Sequence, residues 1–173
     1  MPSVQGANNR INGEALATSA SCGVQSRPVP PEVPMPIATD YIEACQVLPL
    51  NAKASAAQAR RCLQAMLHAH GYRDKDLAKE VQHLLDETDP RKVLPRPIHE
   101  TVDAIRNFGN FSAHPITDIT SLQVIDVEPE EAEWCLEILE ALFEHFYVGP
   151  TAAAAKKKAL DAKLKAAGKP KSK

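Results

Sequence analysis

Arg106, Asn107, Asn110 and His114 stand within one short stretch, Ala104-Ile-Arg-Asn-Phe-Gly-Asn-Phe-Ser-Ala-His-Pro115. An arginine stays charged and offers its donors in a fixed fork, which suits a phosphate. A histidine titrates near neutrality and can take or give a proton. Cleavage of a phosphodiester by a neighbouring hydroxyl needs both functions. Protons move at the attacking and leaving oxygens, and positive charge meets the developing phosphorane. Arg106 and His114 are the candidates for these roles, with Asn107 and Asn110 in support. Arg60-Arg61, at the middle of another segment, is a weaker candidate for substrate binding. Each has a plainer reading. Arg106 can pair with Asp103 or with carbonyls at a helix end, Asn110 can be a turn residue, and His114 can cap a neighbouring helix. Arg60 and Arg61 can form a solvated face whose aliphatic stems pack.

The spacing of Arg106 and His114 limits the chemistry. On one straight helix, eight residues correspond to about 12 Å along the axis. Gly109 offers a break, because a left-handed glycine would end the helix and let the chain turn back. Pro115 disfavours helical geometry at His114, so the helix should end by Ala113 at the latest.

The elements around this stretch read as helices. The chain has 173 residues, 44% hydrophobic, 24% charged and only 5% aromatic, as expected of one soluble helical domain with tails. Residues 1–38 form a proline-rich, aperiodic segment expected to be disordered. Asp40 and Glu43 fit a capping box opening a first helix with Ile42, Cys45 and Leu48 on one face, ended by Pro49. Ser55 is the expected cap of a second helix carrying Ala56, Ala59, Leu63, Met66 and Leu67 and stopped by Gly71. Asp74 or Asp76 caps a third, with Leu77, Val81, Leu84 and Leu85. A proline-punctuated loop follows. Pro97 then starts a fourth helix, with Ile98, Val102, Ile105 and Phe108 leading into the motif. Ile116 to Glu128 reads as an extended piece over the core. Pro129 opens the fifth and strongest helix, with Glu130, Glu131 and Glu133 at its positive end and an apolar stripe from Trp134 to Phe146. Gly149-Pro150 should terminate it. The expectation is an all-α bundle of about five helices over residues 39–149, followed by a mobile Ala/Lys-rich tail over 150–173.

Composition excludes several classes. No window reaches the roughly 18–20 apolar residues of a membrane span. No basic-then-apolar leader is visible, so a cytoplasmic location is expected. Cys22, Cys45, Cys62 and Cys135 form no CxxC pair, and the six histidines do not cluster with carboxylates at ligand spacing, so neither metal nor other cofactor is expected. From Thr151 onward there are eight lysines and one aspartate, a net of +7; the whole chain is −2, so residues 1–150 carry −9. An acidic body with a basic tail is not the usual footprint of a nucleic-acid-binding domain.

Two spans carry a resemblance: Ala54-Ser-Ala-Ala-Gln-Ala-Arg-Arg-Cys-Leu-Gln-Ala-Met-Leu67 and Ile105 to Pro115. Together they resemble domain-of-unknown-function family 4145 over about Asp40 to Val148. That family occurs alone or attached to restriction-system subunits in bacteria and is grouped with the HEPN superfamily. The resemblance implies a helical bundle that often dimerises. It also implies a metal-independent ribonuclease, in a defence or toxin-type system, with a site composed from two chains. Arg106, Asn107 and His114 would be its residues, and RNA its partner. Two departures stand out. The ribonucleases usually place fewer residues between arginine and histidine than the seven here, Asn107 to Ala113, and Gln64 stands where the family has Glu. The alternative is a non-catalytic module for dimerisation or protein binding.

Overall fold

The computed structural model describes residues 27–113 and 126–171, with the backbone alone for 109–113. Cys22, His114 and most of the expected extended piece, up to Ile125, lie outside the described residues. The secondary-structure elements among them are all helical: α1 (Met35–Val47), α2 (Ala52–Ala69), α3 (Leu77–Leu85), α4 (Arg96–Thr101), α5 (Asp103–Ala113), α6 (Pro129–Phe143), a π-helical turn (Glu144–Val148) and α7 (Gly149–Ala166). The five expected helices are present, the fourth as α4 and α5. Fully buried Val102 stands between these two with helical dihedrals and bonds back to Ile98.

Helix α2 lies at the centre and packs against α1, α5, α6 and α3. Its small residues explain its close fit to α1. Ser55, Ala56 and Ala59 are fully buried, and the Ser55 hydroxyl donates to the Ala44 carbonyl at 2.8 Å. Ser55 is therefore not the cap. Asn51, one turn earlier and extended, accepts the Ala54 N–H at 3.0 Å. Gly71 does end α2, at φ +94, and Asp76 caps α3 by accepting from Lys79 N–H at 3.0 Å. The core joins Leu63, Met66 and Leu67 to Ile105, Leu136, Leu139, Leu142 and Phe143, with Tyr41 edge-on to Phe143 at 5.2 Å.

The first helix begins earlier than the Asp40–Glu43 pattern suggested. Pro36 sits in its first turn, Val33 and Ile37 are buried, and Arg27 pairs with Glu133 at 2.6 Å and Glu140 at 2.7 Å. Residues 27–38 thus lie on the fold rather than outside it. Asp40, mid-helix and buried, receives Arg61 at 2.8 Å.

Gly149-Pro150 does not stop the chain either. Proline lacks an N–H and its ring crowds the carbonyl four residues back. The π turn just before it widens the helix, with the Gly149 N–H donating to the Glu144 carbonyl five residues earlier. A Cβ on Gly149 would stand 3.0 Å from that same oxygen. The helical path then continues as α7, whose packing is against the π turn. Among the described residues, no helix is long and apolar enough to cross a membrane.

Candidate functional site

Helix α5 anchors itself with buried Ile105 and partly buried Phe108, which turns Asp103, Arg106 and Asn107 to the other side. Residues three and four apart on a helix are neighbours. Asp103 accordingly receives the Arg106 fork, Nε to Oδ1 at 2.6 Å and Nη2 to Oδ2 at 2.8 Å, and the Asn107 amide at 3.0 Å. The Arg106 hydrogen bond holds the Asp103 carboxyl below the usual range, and the same bond raises the guanidinium. A guanidinium has five N–H groups. Among the described residues, the two given to Asp103 leave the Nη1 face and one Nη2 hydrogen for another acceptor.

Arg106 and Asn107 line a cleft of about 330 Å³ together with Arg60 of α2 and Asp76 and Ala78 at the start of α3. The Nε of Arg60 is buried without a hydrogen-bond partner among the described residues. Two sequence candidates from different helices thus meet in one place. Arg61, one residue on, points elsewhere and holds Asp40. The cleft is not strongly positive, because Asp103 and Asp76 stand against its two arginines.

The expected turn at Gly109 is absent. Helix α5 runs through it to Ala113, with buried Ile105 and the packing on α2 holding the segment helical. Asn110 lies one turn beyond Arg106 on α5. His114 lies outside the described residues, so its distance from Arg106 is not part of the geometry.

A second polar cluster was missed by the sequence reading. Glu80, completely buried, accepts from His68 Nε2 at 2.6 Å, Gln64 Nε2 at 3.3 Å and the Asp74 N–H at 3.1 Å. Gln64, the departure from the family's Glu, therefore faces a carboxylate supplied by α3. Glu80 falls inside the Leu77–Val81–Leu84 apolar stripe, and that position was the available signal. Of the thiols, Cys62 and Cys135 are buried and free, and burial pushes the Cys135 thiol up to about 12.

Comparisons with curated proteins and with solved structures give no match. A family model does match, described as "Domain of unknown function (DUF4145)", over residues 42–167. The match extends past the expected limit at Val148 and through α7. The small-residue helix α2 and the Arg106 helix α5 both fall inside it, and the chain belongs to this family.

Proposed function

We propose that this chain is a HEPN-like module that binds the phosphodiester backbone of RNA in the Arg60–Arg106 cleft and cleaves it without metal. The observation that carries the reading is the meeting of Arg60 and Arg106 in one cleft, each with N–H groups that have no partner among the described residues. In the step envisaged, a ribose 2′-hydroxyl attacks the adjacent phosphorus and the P–O5′ bond breaks. The 2′-proton leaves to a base and a proton reaches the departing 5′-oxygen. A cyclic phosphate and a 5′-hydroxyl result. Arg106 stabilises the phosphorane charge and His114 moves a proton. Because α5 is unbroken, Arg106 and Ala113 are separated by about 10 Å along its axis. That separation favours a site in which Arg106 of one copy works with His114 of another. A role in a bacterial defence or toxin-type system would follow from such an activity.

The test is cleavage of single-stranded RNA in EDTA by wild type, Arg106→Ala and His114→Ala. Each substitution should reduce cleavage on the order of 100-fold or more. A wild type that cuts nothing, or three proteins that cut equally, overturns the reading.

A second reading has its own support: a non-catalytic interaction module. Asp103 already holds the Arg106 fork, and the cleft carries matched charge. On that reading both variants leave RNA untouched, and Arg106→Ala alters association with a protein partner.

A further inference from the structure

Besides Arg60 Nε in the cleft, two buried side-chain polar atoms lack a hydrogen-bond partner among the described residues, His70 Nε2 and Tyr147 Oη. They stand together. His70 closes α2. Its N–H bonds back to the Met66 and Leu67 carbonyls and Gly71 follows at φ +94, so the backbone fixes where the ring emerges. The ring stacks on Phe146 of the π turn, with centroids 4.3 Å apart, and leans on Tyr147 at 5.2 Å. Phe146 also meets the edge of His145, whose Nε2 lies 3.2 Å from the Lys92 carbonyl. The end of α2, the π turn and the loop after α3 therefore join at one imidazole. Helix α7 packs against the π turn, so the same joint carries α7 and its lysines.

This joint suits a neutral imidazole and not a cation. An imidazolium has two N–H donors to satisfy, and burial penalises its charge. The groups around the ring give it no relief. Burial first, then Lys92 of the loop and His145 of the π turn, hold His70 below the ordinary histidine value. Tyr147 brings a hydroxyl, and the thiol near it, Cys62, is buried and neutral. The loop's carboxylates are engaged, Glu87 by the Tyr72 hydroxyl and Asp89 by Arg91. On the α2 side, His68 is bonded to Glu80, and Arg73 reaches the His68 carbonyl. Glu144, in the π turn, is exposed to water. We propose that His70 is a pH-sensitive latch on α7: neutral, its ring holds the π turn against the end of α2, and protonated it leaves the stack, loosening the turn and releasing α7. The released ring regains water and its ordinary value of about 6.5, so it binds the proton better than the stacked one. The latch is therefore closed above about 6.5 and weakens as pH falls through the lower, stacked value. It does not depend on the RNA reading, since helix release and cleavage are measured separately.

The experiment is amide hydrogen exchange of the full chain at about pH 7.5 and about pH 5.5, corrected for the intrinsic pH dependence of exchange. In wild type the opening constant over residues 144–160 should rise severalfold at the lower pH, up to about 10-fold for one group with an ordinary value of about 6.5. Residues 63–67 of α2 should remain far slower at both pH values, which marks release of α7 rather than unfolding. His70→Phe keeps a ring on Phe146 and cannot titrate, so its opening constant should be the same at both. His145→Gln keeps His70 and should respond as wild type does. Should His70→Phe fail to fold, wild type decides alone: the His70 imidazole, followed by NMR, should titrate with a midpoint below about 6.5. A wild type unchanged between the two pH values, a folded His70→Phe variant that still responds, a response lost in His145→Gln, or a His70 midpoint at or above about 6.5 would each overturn the proposal.

Discussion

Two carboxylates, Glu80 on α3 and Asp103 at the start of α5, are used differently. Glu80 is completely buried and receives donors from α2 and from the loop before α3. Asp103 is 41% exposed at its side chain and, among the described residues, receives donors from its own helix alone. The first cluster closes on itself, as a buried polar group must. The second leaves arginine N–H groups at a cleft that Arg60 also lines, its Nε without a partner among the described residues. A closed network holds helices together. An open one keeps capacity for a ligand, and little folding energy depends on it.

If that contrast is right, Glu80 should dominate stability. Glu80→Ala removes a buried side chain and strands three donors, so a loss of about 3 kcal/mol is expected in urea unfolding. Glu80→Gln keeps the volume and should recover much of it. A loss under about 1 kcal/mol for the alanine variant would remove the distinction between the clusters.

Arg60 should show the reverse profile. Arg60→Ala ought to weaken RNA binding about 10-fold, roughly 1.4 kcal/mol, by removing one of the two cleft arginines. The effect should be non-additive with Arg106→Ala, since both would touch one phosphate. Additive losses would mean separate contacts, and no loss would return Arg60 to the fold. For Arg106→Ala itself, the stability cost should be no more than about 0.5 kcal/mol, because its pair with Asp103 is partly solvated. A cost several times larger would make the pair structural.

The bundle was legible because each helix repeats its apolar residues near the helical period, and that repeat survives small errors at the ends. The ends were harder. Asn51 and Ser55 are both good caps, and the choice depended on Ser55 fitting under α1, a tertiary fact. Asp40 looked like a cap, but Val33, Ile37 and Arg27 had already tied the chain to the body. Gly149-Pro150 looked like a stop, because a sequence does not reveal that a π turn will make room for the ring. At the site, the pairing of Arg106 with Asp103 was legible from their three-residue spacing. The approach of Arg60 was not, since it depends on how α2 crosses α5. The charge asymmetry between body and tail was visible from the start.

The smallest expected effect is the most direct test of openness. Arg106 depresses the Asp103 pKa, so the pair stabilises the fold above the ordinary carboxylate value of about 3.9. That stabilisation is lost as pH falls through the lower, folded value. Carboxyl NMR should therefore find an Asp103 midpoint below about 3.9 in wild type and a higher one in Arg106→Ala. Inorganic pyrophosphate, a competitor for the same guanidinium, should draw the wild-type midpoint back upward. If the midpoint moves in the variant but never with pyrophosphate, Arg106 does not share its fork with an anion. Asp103 would then belong with Glu80, as a carboxylate whose partners serve the fold.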